Sequence, residues 1–288
     1  MFPVLSIGPF DLPPYFTFLM IGYLAGVAIS VYEGRRLAMN GAHIVDVNLA
    51  IFLASLVGAR VGSILFDGSL HDYINACFAP ERLPPALRDW DCFESFRLWR
   101  GGMQYYGGFI GGGVAAAVMI RVRRLPIARA FDLWGYGVPA GLVFGRFGCL
   151  LAGCCYGQPS AVPWAISFPA GSAAAKILGV APTPTLHPTQ LYELVLCLAI
   201  FSFNFFFLRK RARRDGAVWW AFCLAYAVGR FAIEFLRDDP RGEALGLSTS
   251  QWIAVAVFIV GVVAIRRYRL FSGPDEPKSE PPGAARSV

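Results

Sequence analysis

The run Gly145-Arg146-Phe147-Gly148-Cys149-Leu150-Leu151-Ala152-Gly153-Cys154-Cys155-Tyr156-Gly157 sets an arginine in an apolar, glycine-rich stretch and leaves it through three cysteines. A cation at bilayer depth costs about 2.5–3.5 kcal/mol on insertion scales. It therefore faces a partner, a cavity or a charged ligand, unless its stem lets it snorkel to the interface. Arg60 and Arg230 lie in similar apolar surroundings, and Glu193 and Glu234 are the carboxylates of comparable placement. Arg230 and Glu234 are spaced i,i+4 and can neutralise each other on one helix. Arg60 and Arg146 still need partners, with Glu193 the remaining carboxylate. An excess of guanidinium suits a phosphate, which the planar fork grips with two hydrogen bonds. The expected site is a polar cavity open to one leaflet and selective for anionic phospholipid.

The elements that carry these residues are membrane spans. The chain has 288 residues, 56% of them hydrophobic and only 16% charged, and a mean hydropathy of +0.51. A soluble domain carries about 25% charged residues, so the expected class is an all-α polytopic membrane protein. Seven apolar segments approach the ~20 residues that cross a bilayer: Tyr15–Tyr32, Ile44–Phe66, Gly102–Ile120, Phe131–Gly153, Pro188–Leu208, Ala217–Leu236 and Ser248–Ile265. Met1 to Phe16 lacks Lys and Arg, so no basic leader region is read there. The spans form one domain over 1–271, with outer loops at 67–100 and 154–187. The Pro-rich stretch 272–288 is expected to be a disordered cytoplasmic tail.

Charge orients the spans. The net charge is +7, and its arginines cluster in alternate loops. Arg35 and Arg36, then Arg121, Arg123, Arg124 and Arg129, then Arg209 to Arg214, then Arg266, Arg267 and Arg269 fall on one side. The positive-inside rule places the N-terminus outside and the C-terminus in the cytoplasm. Helical rise then sets depth: Tyr15, Tyr105, Tyr106 and His187 lie near the outer surface. Arg60, Arg146 and Arg230 lie roughly 10 Å inside it. The run Gly107-Gly108-Phe109-Ile110-Gly111-Gly112-Gly113 leaves two readings open, close packing of helix backbones or room for a lipid headgroup beside Tyr105 and Tyr106. It is not a dinucleotide fingerprint, because no strand precedes it.

Together these motifs resemble the prolipoprotein diacylglyceryl transferase family over most of the chain. Gly145, Arg146, Gly148 and Gly157 fit the frame of the family signature. His187-Pro188-Thr189-Gln190-Leu191-Tyr192-Glu193, the set Arg230, Glu234, Phe235 and Arg237, the run Gly58 to Gly62, and Gly101-Gly102-Met103 with Gly107-Gly108 match further family segments. Tyr15 falls where the family has an essential tyrosine. The resemblance implies transfer of the sn-1,2-diacylglyceryl group of phosphatidylglycerol to a lipobox cysteine thiol, with release of glycerol 1-phosphate. It implies a prolipoprotein signal-peptide region as partner, the bacterial inner membrane as location, and no metal, cofactor or nucleic acid. On this reading Arg146 and Arg230 hold the phosphodiester and stabilise the leaving group, Glu234 orients Arg230, and Tyr15 positions the headgroup. Arg60, Tyr105, Gly107, Gly108, Gly148, Gly157, His187, Gln190, Glu193 and Arg237 line the substrate. The chain also departs from the family. Tyr106 stands where the family has a histidine, its candidate base, and Cys149 and Cys154 stand where the family has asparagine and glutamate. Tyrosine, with an ordinary pKa near 10, is a poor base at neutral pH. Tyr106 is kept as a catalytic candidate that donates a hydrogen bond.

Of the seven cysteines, Cys77 and Cys92 share an outer loop and are expected to form a disulfide. Cys197 and Cys223 are expected to pack within spans. Cys149, Cys154 and Cys155 remain open between a disulfide, a thiolate nucleophile and a soft-metal site. The C-x4-C-C spacing fits no common zinc pattern, and His187 would be a fourth ligand only if the fold brought it near. Three functions stand at this stage: the diacylglyceryl transferase, a same-fold transferase with another acceptor, and a non-catalytic lipid-binding or thiol-redox membrane protein.

Overall fold

A computed structural model describes residues 5–7, 10–66, 70–97, 104–212, 214–238 and 243–271. The expected tail 272–288, Gly101-Gly102-Met103 and the side chain of Tyr105 lie outside them. The described chain is overwhelmingly helical, with two small hairpins. Among the described residues, six helices are long and apolar enough to cross a membrane: α1 (Pro14–Arg36), α2 (Gly41–Phe66), α5 (Ile127–Ala152), the run Thr189–Arg211, α9 (Ala217–Glu234) and α10 (Thr249–Tyr268). The Thr189–Arg211 run comprises α7 (Thr189–Ser202), a π-helical stretch Phe203–Leu208 and the final turn α8 (Arg209–Arg211). α4 (Tyr105–Val122) is the shorter apolar helix at the third expected span. The chain divides into two compact units, residues 34–127 and residues 1–33 with 128–288.

In the 34–127 unit, α2 and α4 pack backbone to backbone. A methyl group on Gly62 would come 3.0 Å from the Cα of Gly107, and one on Gly108 would come 3.2 Å from the Ser55 carbonyl oxygen. The backbone N–H of Gln104 donates to the Ala59 carbonyl at 2.9 Å. Packing thus accounts for Gly107 and Gly108, because no larger residue lets the helices come this close. The opposite faces, with Val57 and Phe109 well exposed, are the apolar surfaces that lipid solvates. Short α3 (Leu70–Phe78) and three 3₁₀ turns follow α2, tied by the expected Cys77–Cys92 disulfide.

In the other unit, α1 and α5 approach through Gly22 against Gly141 and Gly26 against Gly137. Ser30 Oγ also donates to the Leu133 carbonyl at 3.3 Å. At the arginine-rich end, Arg209 pairs with buried Glu33 at 2.7 Å. Asp132 accepts from the N–H groups of Gly216 at 2.6 Å and Trp219 at 2.9 Å, satisfying donors that open α9. At the far end, residues 154–187 fold over a small apolar core of Tyr156, Phe168, Ala174 and Leu186. Helix α6 (Ala173–Leu178) begins there on the Ser172 cap. Hairpin β1–β2 (Leu5–Ile7, Phe10–Leu12) precedes α1, and hairpin β3–β4 (Glu243–Ala244, Leu247–Ser248) leads into α10 through a Ser248–Gln251 capping box.

Candidate functional site

The polar residues read from the sequence fall into two groups, one per unit. In the 34–127 unit, Arg60 is buried on α2. Its Nε donates to the Ser95 carbonyl at 2.9 Å, its Nη2 donates to the Glu94 carbonyl, and its guanidinium lies over the Tyr73 ring. Arg97 bridges Glu94 and Asp91 at 2.9 and 2.6 Å, so the segment facing Arg60 is itself braced. Tyr106, at the start of α4, is half exposed.

The other unit brings ten expected residues together: Tyr15, Arg146, Gly148, Gly157, His187, Gln190, Glu193, Arg230, Glu234 and Arg237. Arg146 Nη2 meets Glu193 Oε1 at 2.6 Å, and Tyr226 donates its hydroxyl to the same oxygen at 2.6 Å. Arg237 lies 3.8 Å from Glu193 Oε2 and 3.8 Å from Glu234 Oε2. Arg230 Nη2 closes the chain at 2.6 Å from Glu234 Oε2. Ser248 Oγ donates to Glu234 Oε1 at 2.8 Å, and Arg230 reaches Ser250 Oγ at 3.4 Å. The i,i+4 pairing of Arg230 with Glu234 is therefore real, but Arg237 joins it to Arg146 and Glu193. Three guanidiniums and two carboxylates thus meet in one network.

The network sits where water is scarce. Glu193 is fully buried, and Arg230, Glu234 and Arg237 are each less than one-tenth exposed. Arg230 Nη1 has no hydrogen-bond partner among the described residues. A buried, unmatched donor costs about 1–3 kcal/mol, more on a charged group. An anionic oxygen at Arg230 Nη1 would satisfy that donor, which is the chemistry of a phosphodiester site.

Glycines and the His187–Glu193 element position this network. Gly148 lets the start of α1 sit against α5, since a Cβ there would come 3.3 Å from the Cα of Tyr15 and 3.0 Å from the Cβ of Phe18. Gly157 pairs as a bridge with Arg237, and its N–H donates to the His187 carbonyl at 3.0 Å. A methyl on Gly157 would meet the His187 Cβ at 2.8 Å. Within the element, His187 Nδ1 and Tyr192 hydroxyl lie 3.0 Å apart, and Gln190 Nε2 donates to the Cys154 carbonyl at 2.8 Å. These residues brace the site, while Glu193 enters it. Sequence reasoning missed Tyr226, Ser248 and Ser250. Tyr226 stands one turn before Arg230, a spacing that places it on the same face of α9.

Cys149, Cys154 and Cys155 are all free thiols, with sulfur atoms within 4.8 Å of one another. Of the three readings left open for them, the disulfide is not formed, and His187 is engaged with Tyr192. Beyond the end of α5, hydrogen bonds from Cys149 and Cys154, with the nearby charges of Arg237 and Arg146, hold the Cys155 thiol well below its ordinary range. Cys197 is buried in α7, as expected.

The sequence model of the family described as prolipoprotein diacylglyceryl transferase matches residues 3–267. Similar curated proteins carry the name phosphatidylglycerol–prolipoprotein diacylglyceryl transferase. One from Clostridium tetani is 29% identical over 88% of this chain and 93% of its own length. One from Rhodospirillum rubrum is 31% identical over 91% and 90%, and one from Nitratidesulfovibrio vulgaris is 33% identical over 92% of each.

Proposed function

The chain belongs to the prolipoprotein diacylglyceryl transferase family, and from that membership we propose that it transfers a diacylglyceryl group from phosphatidylglycerol to a prolipoprotein cysteine. The observation that carries the reading to this site is the Arg146–Glu193–Arg237–Glu234–Arg230 network, in which Arg230 Nη1 has no hydrogen-bond partner among the described residues. Arg146 and Arg230 grip the phosphodiester. As the acceptor sulfur forms a bond to the sn-3 carbon of the glycerol, the carbon–oxygen bond breaks and charge grows on the departing phosphate oxygen. Fixed guanidiniums stabilise that charge more than the ground state, which is the source of rate. Glu193 and Glu234 hold the arginines in place, Tyr226 and Ser248 hold the carboxylates, and Tyr15 sits at the headgroup end.

The acceptor is the cysteine at the end of a prolipoprotein signal-peptide region lying in the membrane. The arginine-rich helix ends face the cytoplasm under the positive-inside rule, which supports a bacterial inner-membrane location and a site open to the outer leaflet. Restoring growth and lipoprotein maturation in a strain depleted of its own transferase tests the proposal. Wild-type chain is expected to rescue and Arg146→Ala to fail. Expression in the membrane without rescue by the wild type would contradict it.

Tyr106 in place of the family histidine favours one second reading, a transferase with a different acceptor. Release of glycerol phosphate without labelling of a lipobox peptide would support that reading.

A further inference from the structure

The Arg146–Glu193–Arg237–Glu234–Arg230 network joins α5 and α7 to the end of α9. Three soft ligands lie beside that network. The sulfur atoms of Cys149, Cys154 and Cys155 are mutually within 4.8 Å. Three thiolates around one zinc ion at about 2.3 Å are spaced about 3.8 Å apart, so a small inward movement closes the set. The backbone is shaped for this convergence. α5 ends at Ala152, Gly153 turns the chain with a φ of +71°, and Cys155 is held at φ +60°, a conformation costly for a side-chain-bearing residue. The Cys154 N–H donates to the Cys149 carbonyl at 3.1 Å, folding the pair back onto the helix end. Thr189 Oγ1 then pins the Cys155 carbonyl at 2.7 Å, and Gln190 Nε2 pins that of Cys154 at 2.8 Å. Cys154 and Cys155 stay partly accessible. A thiol pair would suffice for a disulfide; three converging thiols on a fixed backbone make a ligand set. Arg146 stands one turn before Cys149 and, with Arg237, supplies positive charge near Cys155, offsetting the negative charge of a tris-thiolate zinc complex.

We infer that Cys149, Cys154 and Cys155 form a zinc site whose fourth position binds the acceptor thiol beside Arg146. The C-x4-C-C spacing matches no common zinc pattern because the turn and the positive φ, rather than regular spacing, bring the ligands together. Three protein ligands with an open position are the pattern of a catalytic zinc, and thiolate ligands select soft d10 ions. A thiol that coordinates the metal is deprotonated outright. Its proton passes to water, the sulfur attacks the glycerol carbon, the carbon–oxygen bond breaks, and its electrons leave with glycerol phosphate. The thioether product is a weak ligand and departs, and the zinc remains. The activation step rests on the transferase reading above; the metal site itself does not.

The test is titration of the reduced, detergent-solubilised full chain with Co²⁺ as a spectroscopic stand-in for Zn²⁺. The expected result is a sulfur-to-cobalt charge-transfer band saturating at one equivalent, abolished in Cys154→Ser and in Cys155→Ser and retained in Cys223→Ser. Adding a lipobox peptide thiol is expected to shift the band, and its serine analogue is expected to leave it unmoved. No band in the folded protein, or a band that survives both serine variants, overturns the site. A band that ignores the peptide thiol overturns the open fourth position. The cobalt readout needs no turnover. A cobalt-binding protein that never transfers labelled lipid therefore contradicts the transferase reading alone, and full transfer by a protein without a band contradicts the zinc inference alone.

Discussion

Glu193 is the residue on which the arginines depend. It accepts from Tyr226 and pairs with Arg146 at 2.6 Å while fully buried. Removing one partner of a buried ion pair strands the other charge and costs about 3–5 kcal/mol. Glu193→Gln is therefore expected to lower the thermal unfolding midpoint of the solubilised protein sharply. Tyr226→Phe removes one hydrogen bond to a charged group and is expected to cost about 1.5–3 kcal/mol. Equal midpoints for wild type and Glu193→Gln would show that the pair does not hold the site. Charge arithmetic at bilayer depth made Arg146 and Glu193 legible as partners from the sequence. Tyr226, Ser248 and Ser250 were not, because a hydroxyl carries no comparable insertion cost and leaves no mark in an apolar run.

At the scale of elements, the spans were readable because hydropathy and length alone decide them: α9 is Ala217–Glu234 where Ala217–Leu236 was expected. What hydropathy does not encode is how the connections fold. The 154–187 segment is held by isolated bridges such as Ile166 with Leu186 and by Tyr156 and Phe168, contacts distant in sequence with no periodicity. The glycines of α2 and α4 give a contrasting pair of predictions. A methyl on Gly58 would run into the Gly107 carbonyl, whereas one on Gly113 meets nothing within 4 Å. Gly58→Ala is expected to destabilise by about 1–3 kcal/mol as an overpacked contact. Gly113→Ala is expected to gain about 0.5–1 kcal/mol from backbone entropy. Thermal unfolding of the two variants in one detergent decides it, and a shared sign would contradict the packing.

For the whole molecule, the orientation proposed above rests on arginine placement under the positive-inside rule. Leu245, in the turn of β3–β4, and Tyr268, at the end of α10, are both exposed and lie at opposite ends of that helix. In a chain with its native cysteines blocked, Leu245→Cys is expected to react with an impermeant maleimide in intact spheroplasts and Tyr268→Cys only after lysis. The reverse pattern would invert the topology.

The central claim is that arginines from separate helices share one buried network which holds a lipid phosphodiester during transfer. Purified protein given radiolabelled phosphatidylglycerol and a lipobox peptide measures this directly. The account predicts thioether-linked label on the peptide with wild type, and rates lower by about 10²–10³-fold in both Arg146→Ala and Arg230→Ala. Undiminished labelling by either folded variant would contradict it.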